Sequence, residues 1–323
     1  MTDRVAIHRF RTGVPGLDQI LGGGLPEFSF NLIAGAPGSG KTTLAQQIMF
    51  ALSAPDRSAL YFTVVGEPPL KMLRYQQQFS FFDLARVNES VRYVNLSQDI
   101  VNGTLEKLLA RIAQEVEATS PAVVIVDSFR TVAQAAERAH DDDLDLQHFT
   151  QQLAVRLTSW EATTFLVGEY QPSEAERNPV FTVADGILWL DQSLDRNSMV
   201  RKMQIMKMRG QAPIPGLHTF RITNDGVQVF PRVIVGPAEK SRPAVAGATR
   251  TPRERLSIGV EGLDDMLGGG IPTGYSLLLA GPSGSGKSVL ATEFINEGAR
   301  HDEPGIIAVF EKRPGEYSQD GPS

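Results

Sequence analysis

Cysteine is absent from the 323 residues of this chain. Without thiols the protein can form neither disulfide bonds nor thiolate metal sites, a composition typical of a reducing cytoplasm, where we expect it to reside. Apolar runs long enough to span a bilayer are missing as well, and the first residues do not have the pattern of a signal peptide. We therefore expect no membrane association.

An excess of positive charge is also lacking. Lys and Arg number 31 against 37 Asp and Glu, which gives a formal net charge of −6. Proteins dedicated to nucleic acids usually present a basic face, so this balance counts against a nucleic-acid partner. The hydrophobic (41%) and charged (21%) fractions are those of an ordinary globular protein, and the length predicts two domains.

A glycine-rich turn lies between an apolar run and a segment of helical period, in the stretch 28–49. It fits the G-x-x-x-x-G-K-[ST] pattern of the phosphate-binding loop, or P-loop. Backbone N–H groups of such a turn point at a phosphate, Lys41 would reach the β- and γ-phosphates of ATP, and the Thr42 hydroxyl would bind Mg²⁺. The predicted nucleotide-binding residues are Gly35, Ala36, Pro37, Gly38, Ser39, Gly40, Lys41, Thr42 and Thr43.

The motif occurs a second time as GPSGSGKS at 281–288, and the two P-loop lysines are 246 residues apart (287 − 41). At that offset, without a gap, GVPGLDQILGGGLP (13–26) matches GVEGLDDMLGGGIP (259–272). The chain therefore contains an internal duplication of a large unit. In the second copy the predicted nucleotide-binding residues are Gly284, Gly286, Lys287 and Ser288.

Strand-like and helical patterns alternate after the first P-loop, which predicts a three-layer α/β domain with a mainly parallel sheet. The last two strand patterns, separated by a gap, are predicted to form an antiparallel pair, with a turn at 224–226 inside the second. The predicted strands are 58–65, 90–97, 121–128, 163–168, 186–190, 199–208 and 219–230. One predicted helix begins near residue 70, and two others cover 104–117 and 146–160.

Four apolar residues followed by Asp127 form the Walker B pattern, a strand whose terminal carboxylate emerges beside the P-loop. There Asp127 would bind Mg²⁺ through water. The acidic run at 141–145, flanked by His140 and His148, is a weaker metal candidate. A solvated helix start explains the run better, because helix N-termini favour acidic residues.

Composition changes after the first copy. We predict a first domain over 1–236, a Pro-, Ala- and charge-rich linker over 237–255, and the N-terminal fragment of a second domain over 256–323. The fragment offers a P-loop, its helix and a strand at 305–310, but no second Walker B strand. So small a core should be loosely ordered or should borrow packing from the first domain, and ATP hydrolysis is expected at the first site only.

Several of these motifs together resemble the KaiC family: GVPGLDQILGGGLP before a P-loop, a strand followed by Gly-Glu-Pro, VVIVDS, and a late K-x-R-G before paired strands. Its members are RecA-like ATPases of circadian-clock type, many with two tandem ATPase domains. The resemblance implies a RecA-like P-loop fold, ATP and Mg²⁺ bound at subunit interfaces, a homohexameric ring and regulatory protein partners. The family's second domain often has Ser/Thr autokinase activity, which we do not expect from the fragment at 256–323.

The resemblance also implies catalytic roles. Family members follow the strand after the P-loop helix with two glutamates that activate water, and here Gly66-Glu67 and Glu311-Lys312 each retain one carboxylate. Glu67 is therefore the candidate general base, and slow hydrolysis is expected. Lys207 and Arg209 match cations that reach a neighbouring subunit's γ-phosphate, beside the alternative that they are basic residues protecting an edge strand. With Lys41, these residues make up the predicted catalytic set.

Three functions from different classes are compatible with the sequence. The first is a ring-forming KaiC-type ATPase acting as a slow timer or switch. The second is a RecA/RadA-like recombination or helicase motor, which would need basic DNA-contacting loops and would bind DNA in a salt-dependent way. The third is a nucleotide-binding scaffold that does not hydrolyse ATP, suggested by the missing glutamate. A complete second domain in the native chain would restore the autokinase possibility.

Replacing Lys41 with Ala should abolish ATP binding at the first site, because the lysine supplies the main positive charge on the β- and γ-phosphates. Titration calorimetry with ATP measures this directly. An affinity equal to that of the wild type would contradict the P-loop interpretation.

Overall fold

The computed structural model describes residues 7–64, 69–102, 105–138, 143–175, 178–195, 197–232 and 254–308. The chain divides into two compact units, Met1–Ile234 and Val235–Ser323. Among the helices in the described ranges, none combines the length and the apolar character that a membrane span needs.

Strands and helices alternate through the first unit. Its strands are β1 (Arg9–Phe10), β2 (Leu25–Pro26), β3 (Phe30–Gly35), β4 (Ala59–Thr63), β5 (Val91–Asn95), β6 (Val123–Asp127), β7 (Thr163–Glu169), β8 (Gly186–Asp195), β9 (Ser198–Met208), β10 (His218–Thr223) and β11 (Gly226–Phe230). Its helices are α1 (Leu17–Leu21), α2 (Lys41–Leu52), α3 (Pro69–Gln76), α4 (Ser97–Asn102), α5 (Leu105–Thr119), α6 (Phe129–Arg138), α7 (Asp143–Ser159) and α8 (Pro179–Val183).

A nine-stranded sheet forms the centre of this unit, in the order β11-β10-β9-β8-β3-β7-β6-β4-β5. The six strands from β8 to β5 are parallel to one another, and β9, β10 and β11 continue the sheet as an antiparallel meander. The predicted α/β fold with a mainly parallel sheet is confirmed. So is the antiparallel arrangement of the last strands.

Side chains of β3 alternate between two apolar cores, one on each face of the sheet. Phe30, Leu32 and Ala34 pack in the core that α5, α6 and α7 cover, whereas Ile33 packs in the core beneath α1 and α2. All six residues of β3 are buried, as expected for a strand with helices on both sides. The carboxyl end of this strand is thereby held rigidly where the P-loop begins.

Most predicted elements of the first unit are present within a few residues of their predicted ends. The helix predicted at 146–160 begins earlier, at Asp143, inside the acidic run, which agrees with the interpretation of that run as a helix start. Helix α6 was not predicted, because its sequence has few large apolar residues. Strand β8 continues to Asp195, beyond the apolar stretch that predicted it, because β9 pairs with it along its length.

The second unit contains β12 (Arg255–Leu256), α9 (Glu261–Met266), β13 (Ile271–Pro272) and α10 (Lys287–Arg300). Strands β12 and β13 pair antiparallel, as β1 and β2 do in the first unit. The strand predicted at 305–310 is wrong for 305–308, which have no strand structure, while 309–310 lie outside the described residues. Residues 276–281, the counterparts of β3, are not in a strand either. A parallel strand forms only with neighbours, and the described part of this unit supplies none.

Burial differs sharply between the two P-loop helices. Helix α2 has nine buried residues, but none of the residues of α10 is buried. Because helix stability in proteins comes mainly from packing of the apolar face, α10 should open far more easily than α2.

We expect amide hydrogens of α10 to exchange at least about tenfold faster than those of α2, a difference of about 1.4 kcal/mol in opening free energy. Hydrogen exchange followed by mass spectrometry on the intact chain measures both helices in one sample. Equal protection of α2 and α10 would show that the second unit is as firmly packed as the first.

Candidate nucleotide-binding site

The turn between β3 and α2 has a backbone that only glycine can adopt. Gly35 has a φ of +146°, and a Cβ there would lie 1.9 Å from the carbonyl oxygen of Leu190. Gly40 has a φ of +98°, and its Cβ would lie 2.5 Å from Cδ1 of Ile222. These positions leave the backbone N–H groups uncovered at the start of α2, which is the arrangement that binds a phosphate.

Lys41, the first residue of α2, is buried against this turn, and its Nζ donates a hydrogen bond to the carbonyl oxygen of Ala36 at 2.7 Å. Burial lowers the pKa of the Lys41 ammonium, and the negative charges of Glu169 and Asp127 oppose that effect. A partly desolvated ammonium interacts strongly with an anion that reaches it. The lysine is thus held where the motif predicts it.

Asp127 ends β6 and lies directly beside α2. Its Oδ2 accepts hydrogen bonds from the Thr42 hydroxyl at 2.7 Å and from the Tyr61 hydroxyl at 2.6 Å. Burial raises the pKa of the Asp127 carboxyl, and the two hydrogen bonds and the charge of Lys41 act in the opposite direction. The structure therefore brings together the two residues predicted to hold Mg²⁺. A hydroxyl and a carboxylate at one point suit that ion, which prefers oxygen ligands.

Tyr61 belongs to a buried polar group under α2 that no sequence motif predicts. Its ring centroid lies 5.2 Å from that of Tyr93, whose hydroxyl is 3.3 Å from Oε1 of Gln46 on α2. Burial, followed by the charge of Asp127, raises the pKa of the Tyr61 hydroxyl well above its ordinary value. Tyr61 therefore remains a hydrogen-bond donor that fixes the orientation of the Asp127 carboxylate.

A cavity of about 380 Å³ opens above the P-loop. Its lining includes Gly38, Lys41, Thr42, Asp127 and, unexpectedly, Glu169. Glycine N–H groups, an ammonium and paired oxygen ligands match the needs of a nucleotide phosphate with Mg²⁺. Glu169 could have been suspected from its place, because it ends a buried strand just as Asp127 does.

Three other residues considered from the sequence lie outside this cavity or outside the described residues. Glu67, the candidate base, falls in 65–68 and is not described, and the same holds for His140. His148 is exposed and bonds to Gln152 at 3.0 Å. Over the described ranges no group of three potential metal ligands occurs.

Lys207 and Arg209 lie at the end of the sheet opposite the P-loop. Met208, between them, pairs with Gly186 at the start of β8, whereas the P-loop follows the end of β3. The Lys207 Nζ donates to the carbonyl oxygen of Thr182 at 3.0 Å, and Arg209 forms an ion pair with Asp185 at 2.8 Å. The structure does not bring these two cations to the P-loop of their own chain.

The second P-loop has a similar backbone but a different setting. Gly284 and Gly286 have φ values of +80° and +82°, and the Lys287 Nζ donates to the carbonyl oxygens of Gly281 and Pro282 at 2.8 and 2.7 Å. Within residues 254–308, Ser288 has no carboxylate partner of the kind that Thr42 has. Lys287 and its neighbours are therefore placed for an anion but lack the oxygen pair of the first site.

Replacing Tyr61 with Phe should lower the free energy of unfolding by roughly 1.5–3 kcal/mol, the usual value of a hydrogen bond to a charged group. Urea unfolding of the nucleotide-free chain measures the change. The control is Tyr93→Phe, which removes a longer bond to an uncharged amide and should cost only about 1 kcal/mol. Equal losses in the two variants would show that the hydrogen bond to Asp127 contributes no more to the free energy of unfolding than the bond to Gln46.

Known proteins resemble the chain over both copies of the repeat. The KaiC ATPase family model matches residues 10–234 and 256–320. The circadian clock oscillator protein KaiC of Picosynechococcus sp. is 29% identical over 98% of this chain and 61% of its own length. KaiC 1 of Synechocystis sp. is 29% identical over 99% of this chain and 61% of its own length. KaiC of Synechococcus elongatus is 27% identical over 96% of this chain and 59% of its own length. The chain spans about 60% of the length of these relatives. With more than half of its residues matched, the chain belongs to the KaiC ATPase family.

Proposed function

We propose that this protein binds ATP with Mg²⁺ at the first P-loop and hydrolyses it slowly at the subunit interfaces of a homohexameric ring. The observation that carries the proposal is that Lys41, Thr42 and Asp127 line one cavity. Within it the Thr42 hydroxyl donates a hydrogen bond to the Asp127 carboxylate. The domain division proposed is 1–236, linker 237–255 and a second-domain fragment at 256–323. A cytoplasmic location is part of the same proposal.

Nucleotide binding follows from the groups of the P-loop. Backbone N–H groups at Gly38 and Gly40 hold phosphate oxygens, and the Lys41 ammonium exchanges the Ala36 carbonyl for the β- and γ-phosphates. The Thr42 hydroxyl and the Asp127 carboxylate hold Mg²⁺ directly or through water. When bound, the ion neutralises charge that develops on the phosphate oxygens.

Hydrolysis further requires a carboxylate that activates water, and the resemblance to the family makes Glu67 a candidate for this role. Its neighbour Gly66 takes the place of a second glutamate, so the proposed rate is low. Slow ATP turnover suits a timer or switch, and the similar proteins are named as circadian clock oscillators. We further propose that the protein has regulatory protein partners. We do not propose autokinase activity for the fragment at 256–323.

The ring is supported by the position of the two cations. Lys207 and Arg209 lie at the amino end of the parallel strands, whereas the phosphate cavity lies at the carboxyl end. A cation that stabilises the transition state must approach the γ-phosphate, so only a neighbouring subunit can present these residues there. A heterologous ring interface places one edge of a subunit against the opposite edge of the next.

A DNA-dependent motor of RecA/RadA type is the second candidate. The shared fold supports it only by analogy, because fold alone does not determine function. The net charge of −6 favours the KaiC-type ATPase over the motor.

Mixing a Lys41→Ala chain with an Arg209→Ala chain should recover ATPase activity that neither variant has alone. In a random ring made from equal amounts, about a quarter of the interfaces join an intact P-loop to an intact Arg209, so about a quarter of wild-type activity should return. The control mixes Lys41→Ala with the chain that has both substitutions, where no interface is intact. With mixed rings verified by native mass spectrometry, activity no higher than in the control would contradict action between subunits.

A further inference from the structure

The alignment of the two repeats bears on which residue activates water at the first site. The gapless offset of 246 residues continues past the P-loop helices and still aligns Pro68 with Pro314. In that register Val65 and Gly66 stand opposite Glu311 and Lys312, so the position of the second copy's glutamate is a valine in the first copy. Glu67 lies two residues further along the chain.

Glu169 is a carboxylate that the structure places in the phosphate cavity instead. It is the last residue of β7, which lies between β3, the strand that leads into the P-loop, and β6, the strand that ends in Asp127. Its register partner on β3 is Gly35, the first glycine of the P-loop. The carboxyl ends of three adjacent parallel strands thus bring the P-loop, Asp127 and Glu169 to one edge of the sheet.

The Glu169 carboxylate is available for a substrate. Its side chain is exposed, and it forms no hydrogen bond or ion pair with any residue that the structure describes. Asp127, by contrast, is half-buried, and its Oδ2 already accepts two hydrogen bonds. Of the two carboxylates in the cavity, Glu169 is the more exposed, and it accepts no hydrogen bond from the described residues.

The negative charge of Glu169 acts both on Lys41 and on a phosphate that enters the cavity. Its charge acts on Lys41 more strongly than that of Asp127 and raises the pKa of the lysine against the effect of burial. A negative charge at this place also repels the phosphates of ATP. For nucleotide binding alone Glu169 is therefore unfavourable, and its presence calls for a role in a later step.

We propose that Glu169 is the catalytic base of the first site, a role that rests on the proposed ATPase function. Its carboxylate accepts a hydrogen bond from the attacking water and takes the proton of that water. The water oxygen bonds to the γ-phosphorus while the bond from that phosphorus to the β–γ bridging oxygen breaks. ADP leaves with the electron pair, and the proton on Glu169 is released to solvent.

Glu169→Gln tests the proposal because it removes the base and keeps the size of the side chain. We expect single-turnover phosphate release to fall about 100-fold or more, the usual contribution of a general base. The affinity for ATP, measured by calorimetry, should stay the same or rise, since a charge that repels phosphate is lost. A residue with only a structural role would not produce this split.

Two variants serve as controls. Glu161→Gln changes an exposed glutamate just before β7, at the opposite end of the same strand, and should hydrolyse ATP at the wild-type rate. Glu67→Gln tests the other candidate base and should lose less than about tenfold, because water activation remains with Glu169.

Three outcomes would overturn the assignment. The first is a rate for Glu169→Gln within twofold of wild type, and the second is a loss of ATP affinity that parallels the loss of rate. The third is a larger loss in Glu67→Gln than in Glu169→Gln. A wild-type chain that binds ATP but releases no phosphate would overturn the proposed ATPase function itself, and the role of Glu169 with it.

Discussion

The hydrogen bond between Thr42 and Asp127 is the contact on which the arrangement of the site depends. It joins the first turn of α2 to the end of β6 across 85 residues of sequence, at 2.7 Å. Tyr61 adds a second donor to the same oxygen from the neighbouring strand β4. Burial raises the pKa of the Asp127 carboxyl, and the two hydrogen bonds offset part of that cost. The carboxylate can therefore keep its position beside the P-loop.

Parallel strands explain why two carboxylates so distant in sequence lie together. Asp127 and Glu169 each end a strand whose other residues are almost all buried, and each side chain therefore emerges at the same edge. The antiparallel strands at the other side of β3 have a different role. They turn back, so Lys207 and Arg209 end at the opposite edge, where Asp185 and backbone carbonyls hold them.

The sequence predicts those parts of the site that depend on local pattern. The P-loop and the Walker B strand need fixed residue types at fixed spacings, so Lys41, Thr42 and Asp127 could be named in advance. Tyr61 could not, and for Glu169 the sequence offers only its place at the end of a strand, because the positions of both depend on strand order: β4 and β7 lie on either side of β6 in the sheet, although they are far apart in the chain. The strand expected at 305–310 failed for a related reason, since pattern alone cannot supply the neighbours that a strand needs.

The duplication shows that the same P-loop motif can have very different surroundings. Both loops have glycines at positive φ followed by a lysine and a hydroxyl residue, and both lysines fold back onto carbonyl groups of their own loop. In the first unit the motif lies between a buried strand and a buried helix, and neighbouring strands deliver carboxylates to it. In the described part of the second unit the equivalent helix has no buried residue, and no strand equivalent to β3 leads into the loop. A loop can hold an anion by itself, but only a complete sheet can arrange the metal ligands and the base around that anion. The proposed catalysis at the first site therefore depends on the sheet as much as on the loop.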